Sequence, residues 1–519
     1  MTKSSFNHHS EPHMTVGQGA APSAQIAQFR SDGVTSASGL RIPFFTDAFS
    51  RAFGFPSVLP RNLVSEETPL REERPFTPYV GLREVHYSRA GLTAGFNLGA
   101  GPVRGVFQAP PAFGLGLFIV SGQSAYNVTT GAACGTIAGS DRVRWAASQS
   151  QMVLVASGVA HLYDGTRFNP IVNPVLPPVA DAIWLAGRFV YMAVGTNRFW
   201  YSEINDAANT SGLDFATAES SPDPNVGAAA LADELVIFGQ KTVELWSVTA
   251  DANAPFAPNI GRGFQRGCIA RDTIAFADNA LFWVGDNKVV YRVASVPSRI
   301  SNSSIEDKIR QCADPTSLSA WAATFEGHEF YVLNIPGVGS YAYDLSRVGT
   351  QAQAYGDSYQ RGEWQEWASW GRDHFRGQAA CSVNDTVYVG DDTTNDLWIM
   401  RTGAWSDAGG PFERRASAFI KVEEGTPACA SLVLHGVVGQ GLAGGGAPSV
   451  ELRWSDDQGR TFSDWRAATL GAVGAYYTRA FWARLGLLRA PGRLVEVRVS
   501  DPVNVVFSHL ELNPARPAT

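Results

Sequence analysis

Gly439-Gln440-Gly441-Leu442-Ala443-Gly444 has the glycine spacing of a dinucleotide-binding loop. Such a loop works only where a helix opens at it, so that free amides and the helix dipole face a pyrophosphate. Here Gly445-Gly446-Ala447-Pro448-Ser449 follows, then a strand-like run, so the segment reads as a hairpin loop. Ser455-Asp456-Asp457-Gln458-Gly459-Arg460-Thr461-Phe462 has the form of an Asp-box. Its chemistry is conformational. An Asp carboxylate accepts from turn amides, Gly459 takes a positive φ, and Phe462 is expected to plug a core.

The adjacent acids Asp391-Asp392, Glu66-Glu67 and Glu72-Glu73 could do acid–base work only if two carboxyls faced one bond across a cleft. Sequence neighbours rarely do, and these are expected to face solvent. His8, His9 and His13 sit in a polar stretch and read as a solvated tail rather than a metal site. Gly239-Gln240-Lys241-Thr242 lacks the spacing that cradles phosphates, and neither GxSxG nor HExxH occurs. Cys134, Cys268, Cys312, Cys381 and Cys429 form no close pair, so they read as buried free thiols of a reducing compartment. No catalytic, cofactor-binding or metal-ligating residue is nominated.

Charge narrows the partners. There are 41 basic and 48 acidic residues, for a net charge of −7, and the only lysines are the scattered Lys3, Lys241, Lys288, Lys308 and Lys421. A protein that grips nucleic acid needs clustered cations, and this chain has no such stripe. The first residues lack the apolar core of a secretory signal, and Gly, Pro and polar residues interrupt the uncharged stretch 105–140, so no membrane span is expected. With 52 Gly and 29 Pro, long helices are disfavoured.

The elements that must carry these residues are hairpins. LFIVSGQSAYNV, VLVASGVAHLYDG, VYMAVGTNRFWYSE, LVIFGQKTVELWSV, LFWVGDNKVVYRV, FYVLNIPGVGSYAYDL and VYVGDDTTNDLWIM each set β-branched and aromatic residues around a turn. Their post-turn aromatics are Tyr126, Tyr163, Trp200, Trp246, Tyr291, Tyr343 and Trp398, at intervals of 37 to 55 residues. That leaves room for a second hairpin per interval, the size of a four-stranded propeller blade.

The expected fold is therefore all-β: a β-propeller of six or seven blades over 81–404, then a C-terminal β-sandwich over 405–519. An N-terminal strand is expected to complete the last blade. An open solenoid or two packed sandwiches are the alternatives. Residues 1–80 form an N-terminal arm and docking segment, in which Phe45, Phe49 and Phe53 suit a short amphipathic helix facing either the protein's own body or a partner. Ser303 and Glu306 make a capping box that predicts a helix near 304–312.

Several segments, in order, carry a resemblance. They are GRFVYMAVGTNRFWYSEIND with Ser202-Glu203, then Asp214-Phe215-Ala216 and Pro222-Asp223, then Phe238-Gly239 with Thr242-Val243-Glu244, then Phe282-Trp283, and VELRWSDDQGRTFSDWR near the end. Over about 100–512 the chain resembles the packaged-DNA stabilisation (tail hub, or nozzle) proteins of tailed phages.

The resemblance implies a virion structural protein of the tail, assembled in the host cytoplasm. It would extend the DNA exit channel below the portal and its adaptor and retain packaged DNA. The implied partners are further copies in a cyclic homo-oligomer, a hexamer; portal-adaptor (head-to-tail connector) proteins; tail needle, plug or fibre proteins; and DNA passing without sequence-specific binding. No cofactor and no enzymatic activity are implied. Two other classes stay open. One is a receptor- or glycan-binding tail module using Trp454, Trp465, Tyr476 or Tyr477, which are read as mostly core. The other is a sialidase-like propeller glycosidase, which requires arginines, an acid and a tyrosine at the propeller centre.

Overall fold

The computed structural model of the chain describes residues 27–29, 40–44, 59–68, 83–218, 223–346, 363–423 and 425–514. The expected Phe45/Phe49/Phe53 helix, His8, His9, His13, Glu72-Glu73 and Pro222 lie outside them.

Six antiparallel four-stranded sheets follow one another along residues 103–136, 144–170, 179–217, 225–258, 275–299 and 319–367, here blades 1 to 6. Blade 7 takes Gly377–Val383, Thr386–Asp391 and Asp396–Arg401, and borrows its fourth strand, Gly91–Asn97, from before blade 1. The propeller thus closes by pairing an early strand with a late one, as the sequence suggests.

The seven post-turn aromatics all fall on the third strand of their blade, from Ser124–Asn127 in blade 1 to Asp396–Arg401 in blade 7. In blade 2 the preceding turn places Ser157 and Gly158 at φ 47° and 82°, which reverses the chain within two residues.

A blade has two apolar faces and cannot bury both alone. Each neighbouring pair therefore shares a core. Phe118 and Val120 of blade 1 meet Leu154 and Phe168 of blade 2. Phe238 of blade 4 meets Trp283 of blade 5. The circle ends where Val103 and Ile119 of blade 1 pack with Ala379 and Leu397 of blade 7. At roughly 25 cal/mol per Å² of apolar surface, these shared cores are what stabilise the ring.

Two further sheets share another core. One runs in the order Ala27–Phe29, Arg414–Val422, Gly492–Val499, Ser449–Ser455, Arg466–Thr469. The other runs Leu63–Thr68, Arg83–Ser88, Val506–Pro514, Cys429–Gly436, Ala480–Ala483, with Leu40–Pro43 also on Val506–Pro514. Ile420, Leu452 and Val497 of the first pack with Leu432, Trp482 and Leu510 of the second. Strands from before the propeller are thus built into sheets made mostly of residues after it.

Several local expectations are corrected. The glycine-rich loop is not a hairpin: Cys429–Gly436 and Ser449–Ser455 belong to different sheets, so it crosses between them. The helix is Ser303–Gln311, but its N-cap is Asn302, whose side chain accepts from the Ile305 amide at 3.0 Å. Glu306 instead accepts from the Ser301 hydroxyl and pairs with Arg299. Four cysteines are buried, while Cys381 is half-buried.

Candidate functional site

At the propeller centre, arginines converge. The Arg142 guanidinium donates to the Ala320 carbonyl in blade 6, and Arg144 donates to the Arg271 and Ile274 carbonyls at the entry to blade 5. Arg271 donates to the Ala180 carbonyl in blade 3 and to the Arg142 carbonyl before blade 2. In a ring, non-neighbouring blades meet only across the axis, so these contacts span the central tunnel.

Asp272 bonds Arg271 Nε at 3.0 Å and lies 3.4 Å from Arg144 Nε. Burial acts to raise the Asp272 pKa, but the Arg144, Arg271 and Arg142 charges outweigh it and hold the carboxyl below its usual range. Burial, with the neighbouring arginines, pushes Arg142 down to about 10. Asp181 accepts from the Ala182 and Ala228 amides through its two oxygens.

The arginines and acid that a propeller glycosidase requires are therefore present at the centre, but they are spent on backbone groups and on each other. A general acid needs a carboxyl whose pKa is raised toward neutrality. Asp272 is shifted the other way. The cluster acts as a staple across the tunnel. Nothing in the sequence pattern singled out Arg142, Arg144 or Arg271; their reach across the ring exists only in three dimensions.

The sequence motifs have structural work. Asp223 accepts from the Lys241 and Thr242 amides at 2.6 and 3.1 Å and from the Thr242 hydroxyl at 3.0 Å. A Cβ at Gly239 would lie 2.4 Å from Asp223 Oδ2, so any larger residue there has to displace that carboxylate. Thus Gly239-Gln240-Lys241-Thr242 is a capped turn. Ser202 accepts from the Phe189 amide and donates to the Glu203 carbonyl.

Asp391 is fully buried rather than solvent-facing, and accepts from the Thr393 and Thr394 amides and the Trp398 indole. Asp392 pairs with Arg372 and with His374. Glu66 is exposed and lies 3.4 Å from His328 Nε2; the Glu67 side chain is outside the described residues. Among the described residues no cluster of three or more His, Cys, Asp or Glu is arranged to hold a metal, and no helix is long and apolar enough to cross a membrane.

In the Asp-box, Asp457 accepts from the Thr461 amide and hydroxyl, which hold its carboxyl below the usual range. Phe462 does not plug a core: it is half-buried beneath the Arg453 guanidinium, 4.0 Å from the ring centre. Trp465 likewise lies under Arg453 and Arg498. Trp454 packs on the two-sheet core, as expected. Tyr476 and Tyr477 do not: they are 69% and 99% exposed.

The family model described as "Bacteriophage P22 Gp10, beta-propeller" matches residues 51–403, ending just past the last propeller strand at Arg401. The chain belongs to this phage stabilisation family. A relative is the tail hub protein gp10 of Salmonella phage P22, 26% identical over 226 residues, or 39% of this chain and 47% of that protein. The family match thus covers the propeller, while the aligned stretch spans about half of that relative's length.

Similar solved structures include BamB from Moraxella catarrhalis, at 10% identity and TM-score 0.34, covering 61% of this chain and 98% of BamB. The computationally designed Ika8 protein is 11% identical at TM-score 0.34, covering 70% of this chain and 98% of that one. At such scores neither likeness carries an argument.

Proposed function

We propose that this chain is a virion structural protein of a phage tail hub, extending the DNA exit channel below the portal-adaptor and helping to retain the packaged genome. The observation that carries the reading is the match of the phage stabilisation family across a propeller that closes on its own early strand. A closed ring of blades is stiff and leaves few free strand edges, which suits a wall element.

The wall is built from copies of the chain in a cyclic homo-oligomer, a hexamer, with the portal-adaptor on one side and needle, plug or fibre proteins on the other. A cyclic ring needs head-to-tail contact between unlike patches. The arginine staple across each propeller supports a channel formed between copies rather than through a propeller. The net charge of −7 and the scattered lysines support a wall that does not hold DNA by its phosphates. No catalysis is assigned. We divide the chain into the propeller, 91–401, and a β-sandwich built from 406–514 with strands from 27–88.

The test is a phage lacking this chain. Its heads should fill and then leak DNA, and ring-shaped density below the adaptor should be missing. A filled, stable head without the protein contradicts the reading. Exposed Tyr476 and Tyr477 favour a second reading, in which the sandwich also touches a receptor. Loss of adsorption with normal DNA retention in Tyr477→Ser phage would support it.

A further inference from the structure

A polar cavity of about 290 Å³ lies where the propeller meets the two-sheet unit. Its wall brings together Arg61, Lys308 of the helix, Tyr341 of blade 6, Glu366, Asp373 and Arg415 of the second unit. Arg61 and Arg415 are engaged with Glu366 and Glu413. That charge lattice, to which Asp373 adds its charge near Arg61, fixes the wall, and among the described residues Tyr341 and Lys308 have no bonded partner there.

The Tyr341 side chain is buried, at 3% exposure, yet among the described residues nothing bonds to its hydroxyl. Gly339 keeps that hydroxyl open to the cavity, since a Cβ there would stand 3.1 Å from it. The half-buried Lys308 ammonium has no acceptor among the described residues, and the Asp373 carboxylate is exposed at the mouth. A hydroxyl and an ammonium that open onto a preformed polar cavity without a protein partner among the described residues are groups that a polar ligand can satisfy.

We propose that this cavity binds a small anionic sugar, a sugar acid or a sugar phosphate. Among the described residues one cation and one hydroxyl lack a bonded partner and one exposed carboxylate flanks them, so the ligand that satisfies them carries one acid group and several hydroxyls. Lys308 takes the acid group, Tyr341 bonds an oxygen at the back, and Asp373 accepts from hydroxyls at the mouth. The polar wall disfavours an apolar ligand. The volume accommodates one monosaccharide with a few waters, a water taking about 30 Å³. The site is independent of the tail-hub reading, and its failure leaves that reading untouched.

The test is calorimetric titration of the full chain with glucuronate, glucose 6-phosphate, glucose and inorganic phosphate at matched ionic strength. Glucuronate or glucose 6-phosphate should bind at least about tenfold more tightly than glucose or inorganic phosphate. Lys308→Met should weaken that binding about tenfold and Tyr341→Phe by a few-fold. Asp373→Asn changes an exposed side chain, keeps the fold, and should weaken binding with no shift in melting temperature. A tetrasaccharide carrying glucuronate binds if the source is a polymer and is excluded if it is a free sugar; either supports the site. No heat from either anionic sugar, equal binding of inorganic phosphate, or unchanged binding in both Lys308→Met and Asp373→Asn overturns it.

Discussion

Arg89 and Asp407 form an ion pair sealed from water, their side chains 1% and 0% exposed. Arg89 leads into the strand that closes the propeller, and Asp407 follows the last strand of blade 7. The guanidinium also lies over Phe412, Phe375 and Trp367 and donates to Asn62 and the Ala368 carbonyl. Asp407 accepts in addition from the Leu92 amide and the Ser369 hydroxyl. One pair therefore ties the closing strand, the exit of blade 6 and the start of the second unit.

Removing one partner leaves a buried charge uncompensated. Arg89→Met should destabilise the protein by about 3–5 kcal/mol, and adding Asp407→Leu should restore part of the loss. Urea unfolding of the two variants measures this. A loss under about 1 kcal/mol for Arg89→Met would contradict it.

Gly239→Ala should drive Asp223 out of its cap, since the new Cβ falls on the carboxylate. The expected loss is about 1–3 kcal/mol, the price of unpaired amides at Lys241 and Thr242. In an Asp223→Ala background the same change should be nearly silent. A double-mutant cycle in thermal unfolding checks the coupling.

Acid should weaken blade 7 through Asp391. Burial acts to raise its pKa, but the Thr394 and Thr393 amides, the Trp398 indole and Arg376 outweigh it and hold the carboxyl down to about 2. A depressed folded pKa gives stability that is fully present above the unfolded value of about 4 and is lost as pH falls toward about 2. The contribution is about 2 kcal/mol. Asp391→Asn should be less stable at pH 6 and show a flatter acid limb in urea midpoints between pH 6 and 2. Parallel limbs for the two proteins would sink this account.

His328 behaves in the opposite sense. Burial acts to lower its pKa, but Asp344 at 2.7 Å and Glu66 at 3.4 Å outweigh it and raise it above 6.5. Its stabilising contacts are thus complete below about pH 6.5 and are lost as pH rises through the folded value. Because the protonated His328 also faces Glu66 on Leu63–Thr68, which pairs with Arg83–Ser88, alkaline pH should loosen that pair of strands first. Titration of the His328 ring by nuclear magnetic resonance, with amide exchange at Tyr87, reads both effects.

The blade rhythm was legible because each hairpin carries its own signal. A turn that needs positive φ, with β-branched and aromatic residues on both sides, constrains neighbours only a few residues apart, and that information is local. The same holds for the Asp-box turn at Asp457 and for the helix at Ser303–Gln311, although Asn302 rather than Ser303 took the cap.

Where long-range partners decide, the sequence fell short. Asp391 looked like half of a solvent-facing pair because the Trp398 indole and Arg376 that bury it are placed by the blade, not by adjacency. Phe462 looked like a core plug, but the Arg453 guanidinium on the neighbouring strand provides its cover. The glycine-rich loop looked like a hairpin, because strand pairing between sheets leaves no mark on a loop's composition.

The sequence by itself determined an all-β chain of repeated hairpins, closed by an early strand and without a stripe of clustered cations to hold nucleic acid. Only the tertiary structure decided that Arg142, Arg144 and Arg271 staple the tunnel, that Arg89 meets Asp407, and that Lys308, Tyr341 and Asp373 face one cavity. The physical reason is range. Turn geometry and side-chain alternation act between neighbours, whereas ion pairs and cavities join residues whose separation along the chain is set by how the blades close.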